Sequence, residues 1–238
     1  MLIFGIHREV TAVPGLPVLL SILAVVTMLV SVFAAIAQVD IRRLLAFHVM
    51  GQVAYLVMGL AIATLLGIGA AIFYTMHTML VQTGLFLGAG AIARADRGYD
   101  MREAGGLMRD RPLFSLLFAV LALSISGVPP MSGFWAKFLV VDAAFRAGGA
   151  GNAALAVSAL VAGALTLYSM SILWTQAFWR ARENARNATR RIPPAMYIAV
   201  AILAACTLGI GLAVDPIVRI ARDSAAQLTP WAVGGSVR

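Results

Sequence analysis

The sequence predicts an all-α, polytopic transmembrane bundle of about six helices, one of them broken at Gly127-Val128-Pro129-Pro130. Three observations predict it. The 238-residue chain is 61% hydrophobic and only 12% charged, against roughly half and a quarter in soluble domains. Its apolar runs are continuous and do not alternate with a period of two, which argues against transmembrane strands. Its charges collect in short polar stretches between those runs, the pattern that orients membrane helices.

A hydrocarbon core of roughly 30 Å asks for about 20 apolar residues per helix. Residues 16–37, 44–65, 67–93, 113–141, 153–179 and 194–214 meet it, within one membrane domain spanning 1–238. The third span carries Gly84 and Gly88, a Gly-xxx-Gly step that marks a helix–helix contact. The loop 95–111 is polar, with Gly105-Gly106, and reads as a solvated connector. Residues 218–228 suggest a short interfacial helix ending at Pro230. The first ten residues lack a basic region ahead of an apolar core and do not read as a cleaved signal peptide.

Arginine sets the sidedness. Arg42 and Arg43 follow the first span, Arg94, Arg97, Arg102, Arg109 and Arg111 the third, and Arg180, Arg182, Arg186, Arg190 and Arg191 the fifth. Arg8, Arg146, Arg219, Arg222 and Arg238 fall on the opposite side. The richer side is expected in the cytoplasm, with both termini outside. The Asn187-Ala188-Thr189 sequon then lies on the wrong side for glycosylation.

The net charge of +8 is not laid along one continuous face, so nucleic acid is not an expected partner. One cysteine, Cys206, supplies neither a disulfide framework nor a metal cluster. There is no phosphate-binding glycine loop, no Cys/His metal spacing and no nucleophile with a paired base. No cofactor and no metal are expected.

Lys137 is the leading candidate for chemistry. It is the one lysine among 18 basic residues. Arginine keeps its proton at any usable pH, whereas a desolvated lysine can release it. An ionisable group inside a span is a functional hypothesis by default. The preceding Gly127, Pro129, Pro130 and Gly133 cannot continue a helix, and such breaks are common where transporters bind ions. On spacing, Gly133 leaves room beside the ammonium. The alternative is that Lys137 snorkels to the outer interface, helped by Asp142 and Arg146.

His77 sits near the middle of the third span with Gln82 five residues later. It can relay protons, or serve as a neutral histidine bonded to a neighbouring helix. His48 and Gln52 share a face near the cytoplasmic end of the second span. They either form the mouth of a proton path or satisfy each other and the preceding helix. Asp40 with Arg42 and Arg43 is a polar anchoring turn, and Gln38, Gln176 and Tyr168 are expected to bond between helices.

These residues carry a family resemblance. Ala37-Gln38-Val39-Asp40-Ile41-Arg42-Arg43-Leu44-Leu45-Ala46-Phe47-His48 resembles the turn shared by the antiporter-like subunits of respiratory complex I and of Mrp-type cation/proton antiporters. His77 through Gly90, and Gly127-Val128-Pro129-Pro130-Met131-Ser132-Gly133-Phe134-Trp135-Ala136-Lys137-Phe138, resemble two further motifs of that family. Order and spacing agree over nearly the whole chain. Phe47-His48-Val49-Met50-Gly51-Gln52-Val53-Ala54-Tyr55 is closer to the D-type subunit of Mrp antiporters than to complex I relatives.

The resemblance implies a fold of roughly fourteen helices in two inverted repeats, each with a broken helix, of which this chain resembles the C-terminal half. It implies that Lys137 is the buried base of the second half-channel and that His77 belongs to a central polar axis. The expected function is proton translocation in a multisubunit monovalent-cation (Na⁺)/H⁺ antiporter of the bacterial inner (plasma) membrane. The expected partners are the other subunits, the lipid bilayer, protons and monovalent cations. The alternatives are a proton-pumping subunit of an NADH–quinone oxidoreductase and a non-transporting structural fragment. Two departures bear on this. Gln82 stands where the family often has lysine, and the half supplying a buried glutamate and its lysine lies outside the resemblance. The expectation is therefore a partial D-type subunit that needs a partner half to complete a proton path.

Overall fold

A computed structural model describes residues 13, 15–96, 98–102, 104–181 and 191–228. Among them it has helices only: α1 (Leu16–Ile36), α2 (Ile41–Ala61), α3 (Leu65–Asp96), the one-turn α4 (Leu107–Asp110), α5 (Pro112–Ser126), α6 (Ser132–Ala147), α7 (Gly149–Trp174), a π-helical turn (Thr175–Trp179), α8 (Pro194–Leu212) and α9 (Val214–Leu228). Five stretches are long and apolar enough to cross a membrane: Leu16–Ile36, Ile41–Ala61, Leu65–Arg94, Gly149–Trp179 and Pro194–Leu212. The remaining expected span, 113–141, is instead a pair of half-helices. α5 has 15 residues and α6 has 16, each covering roughly 23 Å and too short alone for a bilayer.

Local signals explain the boundaries. Asp40 caps α2, its Oδ1 accepting from the amides of Arg42 (2.8 Å) and Arg43 (3.2 Å). Proline opens α1, α5 and α8, where its missing N–H costs nothing. α5 ends in a Schellman arrangement: Gly127 adopts φ +89°, its amide donates to Ser124 O, and the Val128 amide donates to Leu123 O. α7 starts at Gly149, four residues before the expected boundary, and its last turn widens to the π-helix. α9 starts at Val214 instead of residue 218. It buries Ala221 and Ala225 and leaves Arg219, Arg222 and Asp223 exposed, as suits an amphipathic helix at an interface.

α3 is the hub of the bundle, packing against α2, α5, α6, α8 and α9. Gly84 and Gly88 receive α5: a methyl added at either would collide with Leu121 or Phe118. The Gly-xxx-Gly step is thus a helix contact made by large side chains against glycine.

The arginine-rich connections meet at one end of the bundle. The Ile41 amide donates to Tyr99 O and the Met101 amide to Val39 O, both at 2.9 Å, while the Gly106 amide donates to Arg180 O at 2.8 Å. The Arg42 guanidinium stacks 3.7 Å from the Tyr99 ring centre. Met101, Ala104 and Leu107 are buried. The segment expected to be a solvated connector is therefore a folded cap, because its backbone pairs with the α1–α2 turn. Arg8, Arg97, Arg182, Arg186, Arg190, Arg238, the sequon and Pro230 lie outside the described residues.

Two apolar clusters fill the interior. One holds Leu44, Leu45, Leu85, Phe114, Phe118 and Phe178; the other holds Met28, Tyr55, Met58, Phe73, Tyr74 and Val140. Along α2, α3 and α7 the buried polar residues fall where one cluster gives way to the other: His48 and Gln52, His77, and Thr166 and Ser169. A polar belt at mid-bundle results.

Candidate functional site

The belt is organised around the helix break. Two half-helices leave free backbone carbonyls and amides at their facing ends, and side chains and neighbouring helices must satisfy them. α8 is tied to the second half-helix beside the break: Trp135 Nε1 of α6 donates to Gly211 O of α8 at 3.0 Å. A methyl at Gly211 would collide with the carbonyl of Pro130.

Lys137, one turn into α6, reaches back toward the break. Its Nζ donates to Ser126 O at 2.9 Å and lies 5.5 Å from the Tyr55 ring centre, within cation–π range. A methyl at Gly127 would sit 2.9 Å from Lys137 Cδ. Glycine there serves both the left-handed backbone and the lysine stem. No carboxylate among the described residues pairs with this amine. Asp142 and Arg146, read as possible helpers of a snorkelling lysine, pair with each other at 2.8 Å. A cavity of about 330 Å³ borders the amine, lined by Ser126, Gly127, Phe134, Phe138, Gly163 and Leu167 among others.

Gly163 of α7 faces the ammonium, and an added methyl there would stand 3.6 Å from Nζ, in ordinary contact. Gly133 has a different task. A methyl there would overlap the Ser124 carbonyl and lie 2.9 Å from His77 Cε1, so Gly133 lets α5, α6 and α3 converge.

His77 is buried, and its Nδ1 shares a hydrogen bond with Ser132 Oγ at 2.8 Å. Ser132 Oγ meets Thr207 Oγ1 at 2.6 Å, and Thr207 Oγ1 meets Ser124 Oγ at 2.6 Å. Four groups from α3, α6, α8 and α5 thus form one chain across the break. His77 Nε2 and both amide atoms of Gln82 are buried with no protein partner among the described residues, which marks unusually polar ground beside α3.

His48 and Gln52 do not satisfy each other. Each is buried and tied to a different helix: His48 Nε2 to Ser169 Oγ at 3.0 Å, and Gln52 Oε1 as acceptor from Tyr74 OH at 2.5 Å. Tyr74 stacks on Tyr55, ring centres 5.1 Å apart, and meets His77 edge-on at 5.8 Å. The Tyr55 hydroxyl donates to Ala159 O at 2.5 Å. A tyrosine pair therefore stands between Lys137 and His77.

Tyr55, Tyr74, Ser124, Ser169 and Thr207 were not among the residues singled out by sequence. The one available signal was a hydroxyl inside an otherwise apolar span, and most such hydroxyls here bond their own helix, as Ser126, Thr166 and Ser171 do. Gln38 likewise bonds back to Ala34 O, in the last turn of the helix it follows, and Tyr168 is exposed. Neither makes the expected interhelical bond.

Fold and site together define a polytopic helical membrane protein with a lysine at a discontinuous helix, an arrangement found where transporters bind ions. The family described as NADH:quinone oxidoreductase/Mrp antiporter, transmembrane, matches residues 3–166, and the chain belongs to that family. It is 36% identical over 231 residues to the D-type Na⁺/H⁺ antiporter subunit of Alkalihalophilus pseudofirmus, covering 95% of this chain and 46% of that protein. It resembles a chain of the Mrp complex from Dietzia sp. with a TM-score of 0.82 and 29% identity, covering 89% of this chain and 47% of that one. It also resembles a chain of respiratory complex I from Thermus thermophilus, with a TM-score of 0.71 and 30% identity over 85% of this chain and 45% of that one. The chain thus spans about half the length of the relatives it matches.

Proposed function

We propose that this chain is the proton-translocating C-terminal half of a D-type subunit in a multisubunit Na⁺/H⁺ antiporter. One observation carries the reading: the amine of Lys137 is held at the helix break by a carbonyl and an aromatic face, with no carboxylate partner among the described residues. A lysine so placed can exist with or without its proton at modest cost. Lys137 accepts and releases protons, and His77 passes them along the belt. His48, Gln52 and Gln82 line the same path. The stronger likeness to antiporter relatives favours this assembly over an NADH–quinone oxidoreductase.

The arginine-rich cap faces the cytoplasm of a bacterial plasma membrane, with both termini outside. The partners are the other antiporter subunits, lipid, protons and monovalent cations.

The test is Na⁺-driven dissipation of a proton gradient in everted vesicles from an antiporter-deficient host carrying the whole operon. Lys137→Ala is expected to abolish exchange while the subunit remains in the membrane at wild-type abundance. Undiminished exchange overturns the proposal.

A further inference from the structure

The hydroxyl chain is the feature of the belt that proton carriage by Lys137 and His77 leaves unused. Its members are buried: His77 is 2% exposed, and Ser124, Ser132 and Thr207 are each 0%. The Trp135–Gly211 bond already ties α8 to the broken helix. Thr207 makes two more, one to each half-helix, and the series continues to a titratable ring.

Donor–acceptor accounting allows two states. A serine or threonine hydroxyl donates one hydrogen bond and accepts others, while a neutral imidazole donates at one nitrogen and accepts at the other. When Nδ1 of His77 accepts, Ser132 donates to it, Thr207 donates to Ser132 and Ser124 donates to Thr207. When Nδ1 carries a proton, as it must in the imidazolium and can in one neutral tautomer, each direction reverses: His77 donates to Ser132, Ser132 to Thr207, and Thr207 to Ser124. The Ser124 hydroxyl then turns to a carbonyl of its own helix, the acceptor that helical serines commonly use. No hydroxyl can reverse alone without leaving a donor facing a donor, and in a low-dielectric interior such chains act together.

The chain ends at Ser124, which is buried, so it is no conduit to either surface. Its ends straddle the break. Ser124 lies two residues before Ser126, whose carbonyl holds Lys137 Nζ, and Ser132 begins the half-helix that carries Lys137. We infer that the Ser132–Thr207–Ser124 hydroxyl chain couples the protonation state of His77 to the geometry of the helix break, with Thr207 as the positioning residue. The inference rests on the proton-carrier reading of Lys137 and His77.

Among the described residues, the titratable groups near His77 are few. They are Tyr74 on α3, His48 and Tyr55 on α2, and Lys137 on α6, the last within electrostatic range of both histidines. α5 has no titratable side chain, and α8 has only Tyr197, which packs on Phe114, and the exposed Cys206. α9 brings Asp215, Arg219, Arg222 and Asp223, of which Arg222 lies against Gly69 of α3.

The experiment measures exchange against pH in everted vesicles bearing the complete complex, for Thr207→Val, Thr207→Ser and Lys137→Ala. Thr207→Val is expected to slow exchange about tenfold, the rate equivalent of one buried hydrogen bond. It is also expected to displace the pH profile toward acid by about one unit, because Ser132 loses the acceptor it needs when His77 donates. Thr207→Ser is expected to restore both. Where Thr207→Val fails to reach the membrane, Ser124→Ala is read in its place; it removes the acceptor Thr207 uses when His77 donates and is expected to displace the profile in the same direction.

A wild-type rate and profile in the hydroxyl-deleting variant, alongside inactivity of Lys137→Ala, overturns the coupling and leaves the function standing. A slowed rate with an undisplaced profile also overturns it, since that is the signature of a clasp. Activity of Lys137→Ala overturns the function itself.

Discussion

Lys137 Nζ and the carbonyl of Ser126 face each other across the helix break at 2.9 Å, so one half-helix supplies the cation and the other its acceptor. The separation exists because Gly127 turns the chain through the left-handed region and leaves space for the lysine stem. A lysine held by a neutral acceptor keeps an ammonium in place without locking it, as a carboxylate partner would.

Replacing Lys137 by arginine is the sharper companion to alanine. The guanidinium keeps its charge at every accessible pH, so it can occupy the site and still not release a proton. Lys137→Arg is expected to insert normally and to lose exchange by about a hundredfold, the lower range for loss of a proton-transfer group. Vesicle exchange with abundance controls is the measurement, and near-native exchange would count against proton release at this residue.

Gly133 predicts a packing penalty. An alanine methyl would overlap the Ser124 carbonyl and press on His77, and overpacking of this kind costs about 1–3 kcal/mol. Gly151, in the first turn of α7, has open space around it, and alanine there is expected to be neutral or slightly stabilising. Thermal unfolding of the two variants in detergent compares them directly.

The tyrosine pair predicts a different loss. Tyr74→Phe keeps the ring stack on Tyr55 but strips Gln52 Oε1 of its donor. A buried acceptor left unpaired costs about 1–3 kcal/mol. The expected result is lower thermal stability, and Tyr74→Phe combined with Gln52→Leu is expected to recover part of it. A double-mutant cycle measures the coupling.

Asp40 predicts a pH dependence at the cap. Partial burial raises its carboxyl pKa, but the Arg43 amide, the Arg42 side chain and amide, and the Arg42 charge together outweigh that and hold it below 3.8. A group lowered on folding adds stability above its unfolded value, and that stability is lost as pH falls through the lower folded value. Asp40→Asn keeps the helix cap and removes the titration. The wild type is expected to exceed the variant in stability at neutral pH and to converge with it below about pH 4, as followed by chemical denaturation.

Much of the architecture was legible because membrane burial is a one-dimensional signal. A run of apolar residues long enough to cross a bilayer reports a span wherever it occurs, and five of the six expected spans are single helical stretches. The break was legible too, since tandem prolines remove two backbone donors regardless of surroundings. Lys137 stood out by residue type alone. The family motifs extended that reading to His77, whose place in the bundle then followed from its helix.

The rest required three dimensions. The folded cap formed by Tyr99, Met101 and Gly106 looked like a solvated connector, because its partners Val39, Ile41 and Arg180 are distant in sequence. Gly133 looked like space for Lys137 on helical spacing, yet the atoms it admits belong to Ser124 and His77. His48 and Gln52 share a helix face and still bond to different helices, Ser169 on one and Tyr74 on another.

Sequence by itself therefore determined that this is a helical membrane protein, broken once, with one lysine at the break. Hydrophobic length, proline chemistry and residue type are local properties that no partner can alter. Only the tertiary structure decided which carbonyl holds the lysine and which hydroxyls bond across the break from His77. Those depend on how four helices meet at mid-bundle, where hydrogen bonds join Ser124, Ser132, Thr207 and His77 across as many as 130 positions of sequence, from His77 to Thr207.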